Sequence, residues 1–317
     1  MPPFGAGAHR GDGGQQIFAD ELMRFARGAA DQRVVAVAER VAAPLRVTVR
    51  GRRGVGRSTV ARALSRWFTV LESGADLEVQ VIAEAVKPED SAPGSVLAVL
   101  NKADLTGFGG DGPMAAASAR CPEFAERLGV PVLPMSGLLA LAAFDAFDDP
   151  GAPRWAALRA LAAEPAPAPI PRELLAGLDL FGVALAVAAL RQGSGPAQVR
   201  ALWRRLSGVD EVVDRLVAAG APARYRRVLD AVTELETLAV TDPAIGAFLS
   251  SDDTVVARMA AALDAAQACG LEAGPEEPLQ RAAHWQRYRR SAGSGLQRAC
   301  GADIARGALR LWSQGPR

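Results

Sequence analysis

Leu45-Arg46-Val47-Thr48-Val49-Arg50-Gly51-Arg52-Arg53-Gly54-Val55-Gly56-Arg57-Ser58-Thr59 is the stretch that decides how the rest of the chain is read. Leu45 to Arg50 sets apolar residues among polar ones with β-branched side chains, which predicts a strand. Gly51, Gly54 and Gly56 then allow sharp turning, and Ser58 to Arg66 has helical character. A glycine-rich turn between strand and helix brings backbone N–H groups around a phosphate, and the helix adds its positive amino end. Gly51 to Ser58 follows GxxxxGK[ST] except at Arg57, where lysine is expected. Arginine keeps the charge but presents a bulkier, planar fork. The Ser58 hydroxyl stands where it would ligate a phosphate-bound Mg²⁺, with Thr59 next on the helix.

Outward from this turn, Leu77–Ala83, Ser95–Leu100 and Val130–Pro134 read as strands, and Pro113–Leu128 as a helix. Strands alternating with helices predict the α/β class, with a mostly parallel sheet between flanking helices. Phe68–Glu72 is read as a short edge segment or the end of the helix after the glycine turn. Only Ser73 to Asp76 separate it from the next apolar run, and a parallel crossover takes about a dozen residues. Gln15–Ala43 predicts one helix or two, ended by Pro44, behind a flexible Gly- and Pro-rich leader over 1–14. From Trp155 onward no strand is evident. The segment Glu164–Pro171 (EPAPAPIP) reads as an extended linker. The stretches Glu173–Leu190, Ala197–Leu206, Val209–Ala219, Ala221–Leu238, Asp252–Cys269 and Leu279–Arg290 read as helices. The expected organisation is a helical segment over 15–44, a phosphate-loop domain over 45–163, a linker over 164–171 and an all-helical region over 172–317.

Two later motifs sharpen this reading. Asn101-Lys102-Ala103-Asp104 follows the apolar strand Ser95–Leu100, and Ser136-Gly137-Leu138 follows Val130–Pro134. With the glycine turn and in this order, they resemble the G domain of P-loop GTPases, on its Era-like or dynamin-like side. The resemblance covers approximately Leu45 to Ala143. It implies a GTP- or GDP-binding protein using Mg²⁺. Gly51, Gly54, Gly56, Arg57, Ser58 and Thr59 would hold the phosphates, with Ser58 on the metal. Asp104 would accept hydrogen bonds from the guanine N1 and exocyclic amine, Asn101 would fix base and loop, and the Lys102 stem would cover the ring. The backbone of Ser136 and Gly137 would assist, although alanine is usual at the second position. Adenine would leave the carboxylate unpaired, so the discrimination is physical.

The departures bear on activity. Forty-four residues lie between Gly56 and Asn101, and no DxxG occurs from Thr59 to Val96. Asp104-Leu105-Thr106-Gly107 has those letters but overlaps the base-recognition loop. Phosphoryl transfer depends on placing a water and stabilising charge. The expectation is therefore hydrolysis that is slow or needs a partner. The alternative is a degenerate pseudo-GTPase that acts as a scaffold through its helical half. An ATP-binding protein would leave Asp104 without a role. Glu72, Asp76, Glu84 and Asp90 are read first as turn carboxylates, with a part in metal or ligand binding as the sharper possibility.

Composition narrows the classes. A formal net charge of +1 gives no strong nucleic-acid signal. Cys121, Cys269 and Cys300 lie at wide spacing without a metal-type pair, which fits a reducing cytoplasm. His9 and His284 are too few for a histidine-based centre, and His284 is assigned no chemistry. The apolar run Leu174–Leu190, broken by Asp179, reads as a buried helix rather than a membrane span. In the helical half, Ala223–Arg227 and His284–Arg290 mix arginine with rings. They are read as solvated helix faces, or as surfaces for phosphates, lipid or an acidic protein partner. Gly307–Trp312 either docks through Leu309, Leu311 and Trp312 or serves as a partner-binding tail.

Overall fold

Residues 13–29, 31–90, 93–107, 112–165, 169–175 and 177–315 are described by a computed structural model of the chain. All but the end of the expected leader, and Ala166 to Ala168 of the expected linker, lie outside them. Two helices come first, α1 (Gly14–Ala29) and α2 (Gln32–Ala42), then strand β1 (Arg46–Arg50) and α3 (Arg57–Leu64). Strands β2 (Thr69–Leu71), β3 (Leu77–Ile82) and β4 (Leu97–Asn101) precede α4 (Pro113–Leu128), β5 (Val132–Met135) and α5 (Gly137–Leu141). Helices follow: α6 (Pro153–Ala163), α7 (Arg172–Leu175), α8 (Leu180–Arg191), α9 (Pro196–Leu206) and α10 (Val209–Ala219). The last are α11 (Ala221–Ala239), α12 (Pro243–Ser250), α13 (Asp252–Ala268), α14 (Pro278–Ser291) and α15 (Gly295–Ser313).

The strands form one parallel sheet in the order β2-β1-β3-β4-β5. Parallel pairing puts every carboxyl end on one edge, where the turns after β1, β3, β4 and β5 all emerge. The middle of the sheet is the most apolar part. All five residues of β4 are buried, while Thr69 on the edge strand β2 is exposed.

Of the two readings of Phe68–Glu72, the structure has the short edge segment, since Thr69–Leu71 pairs with β1 at the edge of the sheet. The crossover rule presumes strands of ordinary length. Here Leu71 lies opposite Thr48 and Leu77 opposite Val47, so the chain retreats by one register step. With two strand spacings to cross, the gap is about 10 Å, which a short turn spans. Shortness of β2 makes the connection possible.

The chain forms two compact units, and they do not follow the division expected at 164–171. One comprises Arg46–Leu216; the other joins Met1–Leu45 to Val217–Arg317. The first unit keeps α6 to α9 because they share an apolar core with Leu139 of α5. Phe147, Trp155 and Trp203 are fully buried, with Trp155 stacked on Trp203 at 5.7 Å and Phe147 set edge-on to Trp203 at 4.9 Å. The indole N–H of Trp203 donates to the Gly182 carbonyl at 3.0 Å, so this buried donor is satisfied. Arg191 holds the start of the proposed linker by donating to the carbonyls of Ala162 and Glu164. The expected helix Glu173–Leu190 is two, since Asp179 caps α8 through the Gly182 N–H.

The second unit contains helices and no strand among its described residues. The apolar stripe of α1 (Phe18, Leu22, Ala26) and that of α2 (Val34, Val37, Val41) join one core with Tyr225, Val228, Leu235 and Ile304. At its centre Asp303 accepts from Tyr225 Oη at 2.9 Å and from Arg258 Nη2 at 2.7 Å. Among the described residues, no helix is long and apolar enough to cross a membrane.

Removing the Trp203 ring opens a large cavity in the first unit. Trp203→Ala is expected to cost about 3–5 kcal/mol in urea unfolding. A loss under about 1 kcal/mol would show that α6 to α9 contribute little to that core.

Candidate functional site

Strand β1 ends at Arg50, and the backbone then turns through left-handed geometry that L side chains rarely adopt. Gly51 has φ +149°, and a Cβ there would lie 2.7 Å from the Val81 carbonyl oxygen. Gly56 has φ +85°, and its Cβ would stand 2.2 Å from Asn101 Nδ2. Both positions therefore exclude a side chain by conformation and by contact. Gly56 is also the N-cap of α3 and supplies no capping side chain. The first N–H groups of α3 are thus open to a ligand, at the positive end of the helix dipole.

Asn101, the last residue of β4, ties two loops together. Its side-chain amide donates to the Val55 carbonyl at 2.8 Å, and its Oδ1 accepts from the Gly137 N–H at 2.9 Å. One buried side chain thus holds the glycine turn against the loop after β5. The close fit accounts for glycine at 137: a Cβ would lie 3.0 Å from Asn101 Oδ1 and 3.3 Å from Thr59 Cγ2. Ser136 is anchored too, its N–H donating to the Ser207 carbonyl at 2.9 Å.

Gly51, Arg52, Arg53, Gly54, Gly56, Arg57, Ser58, Thr59 and Lys102 line one open cavity of about 470 Å³. That is within the size range of small-molecule sites. Four of these residues are cationic and none is acidic, which suits a polyanion. Lys102 reaches the cavity from a left-handed backbone, φ +58°. Among the described residues, Glu84 (φ +64°) is the other non-glycine with positive φ. They stand at the carboxyl ends of neighbouring strands, β4 and β3. Strain of this kind collects at ligand sites.

Arg52 binds the turn to the loop after β3. Its Nη2 donates to the Ala83 carbonyl at 3.1 Å, and its Nε lies 3.4 Å from the carboxylate of Asp90. Asp90 is fully buried and also accepts from the Lys87 N–H at 2.9 Å. Its Oδ1 has no hydrogen-bond partner. In the sequence Asp90 reads as a turn carboxylate and Arg52 has no separate role. Nothing in the spacing links positions 52 and 90.

Asp104 is not among the residues that line the cavity. It is buried in the single turn Ala103–Leu105, and its neighbour is the carboxyl group of Asp179. Asp179 accepts from the Gly182 N–H at 2.5 Å and from Ser136 Oγ at 3.3 Å. Burial pushes its pKa up to about 6, against the Gly182 hydrogen bond, and the Asp104 carboxylate pushes the same way as burial. The structure thus adds Asp179 to the neighbourhood of Asp104 and Ser136. Its only trace in the sequence is a carboxylate interrupting an apolar run.

The remaining candidates fall elsewhere. Asp76 sits at the amino end of β1, gripping Arg46 through its backbone N–H and guanidinium at 2.8 Å each, so it is remote from the phosphate turn. Glu72 is exposed beyond β2. Tyr225 of the first arginine-aromatic cluster is buried, and Arg227 donates to the Ala43 carbonyl at 2.5 Å. At the last helix Leu311 packs on the core, whereas Leu309 and Trp312 are about half exposed, so of the three residues only Leu311 docks. Among the described residues, no three His, Cys, Asp or Glu side chains come together as a metal cage. No family model, curated protein or solved structure matches the chain.

Two substitutions test this geometry. Asn101→Ala leaves the Val55 carbonyl and the Gly137 N–H buried without partners, so a loss of roughly 2–4 kcal/mol is expected in denaturant unfolding. Asp179→Asn keeps the cap and removes a charge. Because the folded-state pKa of Asp179 is raised to about 6 from 3.8, its penalty is absent below pH 3.8 and sets in as pH rises to about 6. The variant should therefore match the parent near pH 4 and exceed it at pH 7.5 by on the order of 1–3 kcal/mol. Equal stability at both pH values would refute the raised pKa of Asp179.

Proposed function

We propose that the chain binds a guanine nucleotide, with the polyphosphate in the Gly51–Thr59 turn and the base toward Asp104. One observation carries the reading. The left-handed glycine turn opens onto the uncapped end of α3 in a cavity that Arg57, Ser58, Thr59 and Lys102 share, pinned by Asn101 to the Ser136–Gly137 loop. Backbone N–H groups and the α3 amino end would hold phosphate oxygens, with Arg57 neutralising their charge. Asp104 lies two residues beyond Lys102, so the acceptor that guanine needs is next to the cavity wall.

Mg²⁺ fits in a limited way. Ser58 is exposed in the first turn of α3 and lines the cavity, whereas none of the lining residues is a carboxylate. Such an ion would rest on Ser58, phosphate oxygens and water, the mode common for Mg²⁺ with nucleotides. It would offset phosphate charge. Hydrolysis is expected to be slow or partner-dependent, since no residue lining the cavity is suited to orient an attacking water by accepting its proton.

The second reading, a scaffold with a degenerate site, draws on Asp179. A carboxyl group already beside Asp104 competes with guanine for its acceptor oxygens.

Calorimetry with GDP, GTP and ATP in the presence of Mg²⁺ separates the readings. Guanine nucleotides are expected to bind and ATP at least tenfold more weakly. Asp104→Asn should lower GDP affinity by about tenfold, or 1.4 kcal/mol, without altering the affinity for pyrophosphate. Heat with none of the three would leave the scaffold. Ser58→Ala is expected to abolish the gain in GTP affinity that Mg²⁺ provides and to leave the affinity measured in EDTA unchanged.

A further inference from the structure

Arg52 occupies two settings at once. It lines the cationic cavity, and it is the charged partner of Asp90, a fully buried carboxylate whose Oδ1 accepts no hydrogen bond but lies 3.4 Å from Arg52 Nε. An isolated buried carboxylate is strongly unfavourable, so Asp90 depends on that guanidinium. A phosphate in the turn would be a second anion competing for it, and arginine binds phosphate and carboxylate through the same N–H groups.

The loop between them is built to respond. It leaves β3 through Ala83, whose carbonyl Arg52 also holds, and passes Glu84 in left-handed geometry. Arg127 donates to the Val86 carbonyl at 2.8 Å, and a short helical turn, Pro88–Asp90, closes the segment. Arg52 thus links this loop to the phosphate turn.

We propose that Arg52 and Asp90 form a phosphate-responsive switch. Phosphate entering the Gly51–Ser58 turn draws the guanidinium from Asp90 and Ala83, and residues 83–90 rearrange so that water reaches the freed carboxylate. This gives the chain a ligand-sensing loop although it has no DxxG between Thr59 and Val96. The inference rests on the phosphate half of the proposed function and is independent of the base.

Hydrogen exchange of residues 83–90 tests it, with GTP and with pyrophosphate as separate probes. Either probe that binds should raise exchange across this loop several-fold in the parent chain. Asp90→Asn has no charge to strand. It should bind pyrophosphate about tenfold more tightly, within the range of coupled sites, and its loop exchange should not change on binding. Arg52→Gln is the check should Asp90→Asn fold poorly: its loop should exchange rapidly without ligand and be indifferent to it. A pyrophosphate response without GTP binding would retire the guanine reading and sustain the switch. Binding of either probe with unaltered exchange at 83–90, or no binding of either, would overturn the switch.

Discussion

The buried amide of Asn101 is the interaction on which the site's arrangement depends. It reaches from the end of β4 to the glycine turn on one side and to the Gly137 N–H on the other. A primary amide suits the position because one group must donate to a carbonyl while the other accepts from a backbone N–H. Glycine at 56 and at 137 follows from that bridge, since a Cβ at either would press on the amide. Three loops leaving the same edge of a parallel sheet thereby become one rigid frame.

The placement of charge around that frame is lopsided. Cationic side chains line the cavity, while two buried carboxylates stay out of its lining, Asp90 paired with Arg52 and Asp104 against Asp179. Asp179 connects the Asp104 region to α8, and Asp90 connects Arg52 to the loop after β3. Each couples the cavity to a different part of the first unit. Electrostatics in a partly buried setting makes such couplings strong enough to matter.

Much of the α/β architecture was legible in the order of local signals. Val47, Val49 and the glycines after them read as strand and turn, and four of the strands follow from apolar runs with breakers beside them. Thr69–Leu71 was legible only as a short edge segment or a helix end, because a length rule argued against a crossover there, and only the pairing with β1 reveals how short a return is needed. The partition into units was hidden for a related reason. Phe147, Trp155 and Trp203 look like scattered aromatics along the chain, and the Pro-Ala segment looks like a boundary. Their mutual packing puts α6 to α9 in the core of the sheet's unit, while α1 and α2 join helices far later in the chain, Val34 sharing one core with Val228 and Leu235.

Local sequence alone indicates that Gly51–Ser58 turns sharply between a strand and a helix, and that Asn101 closes a buried strand. These are properties of residues close in sequence, where conformational preference and spacing act directly. Which acids stand behind the cavity is a different matter. Arg52 finds Asp90 and Asp104 finds Asp179 across thirty-eight and seventy-five positions, through sheet order and helix packing. Partners that far apart carry no shared spacing, so only the folded chain, by bringing them together and burying the carboxylates, creates the interaction.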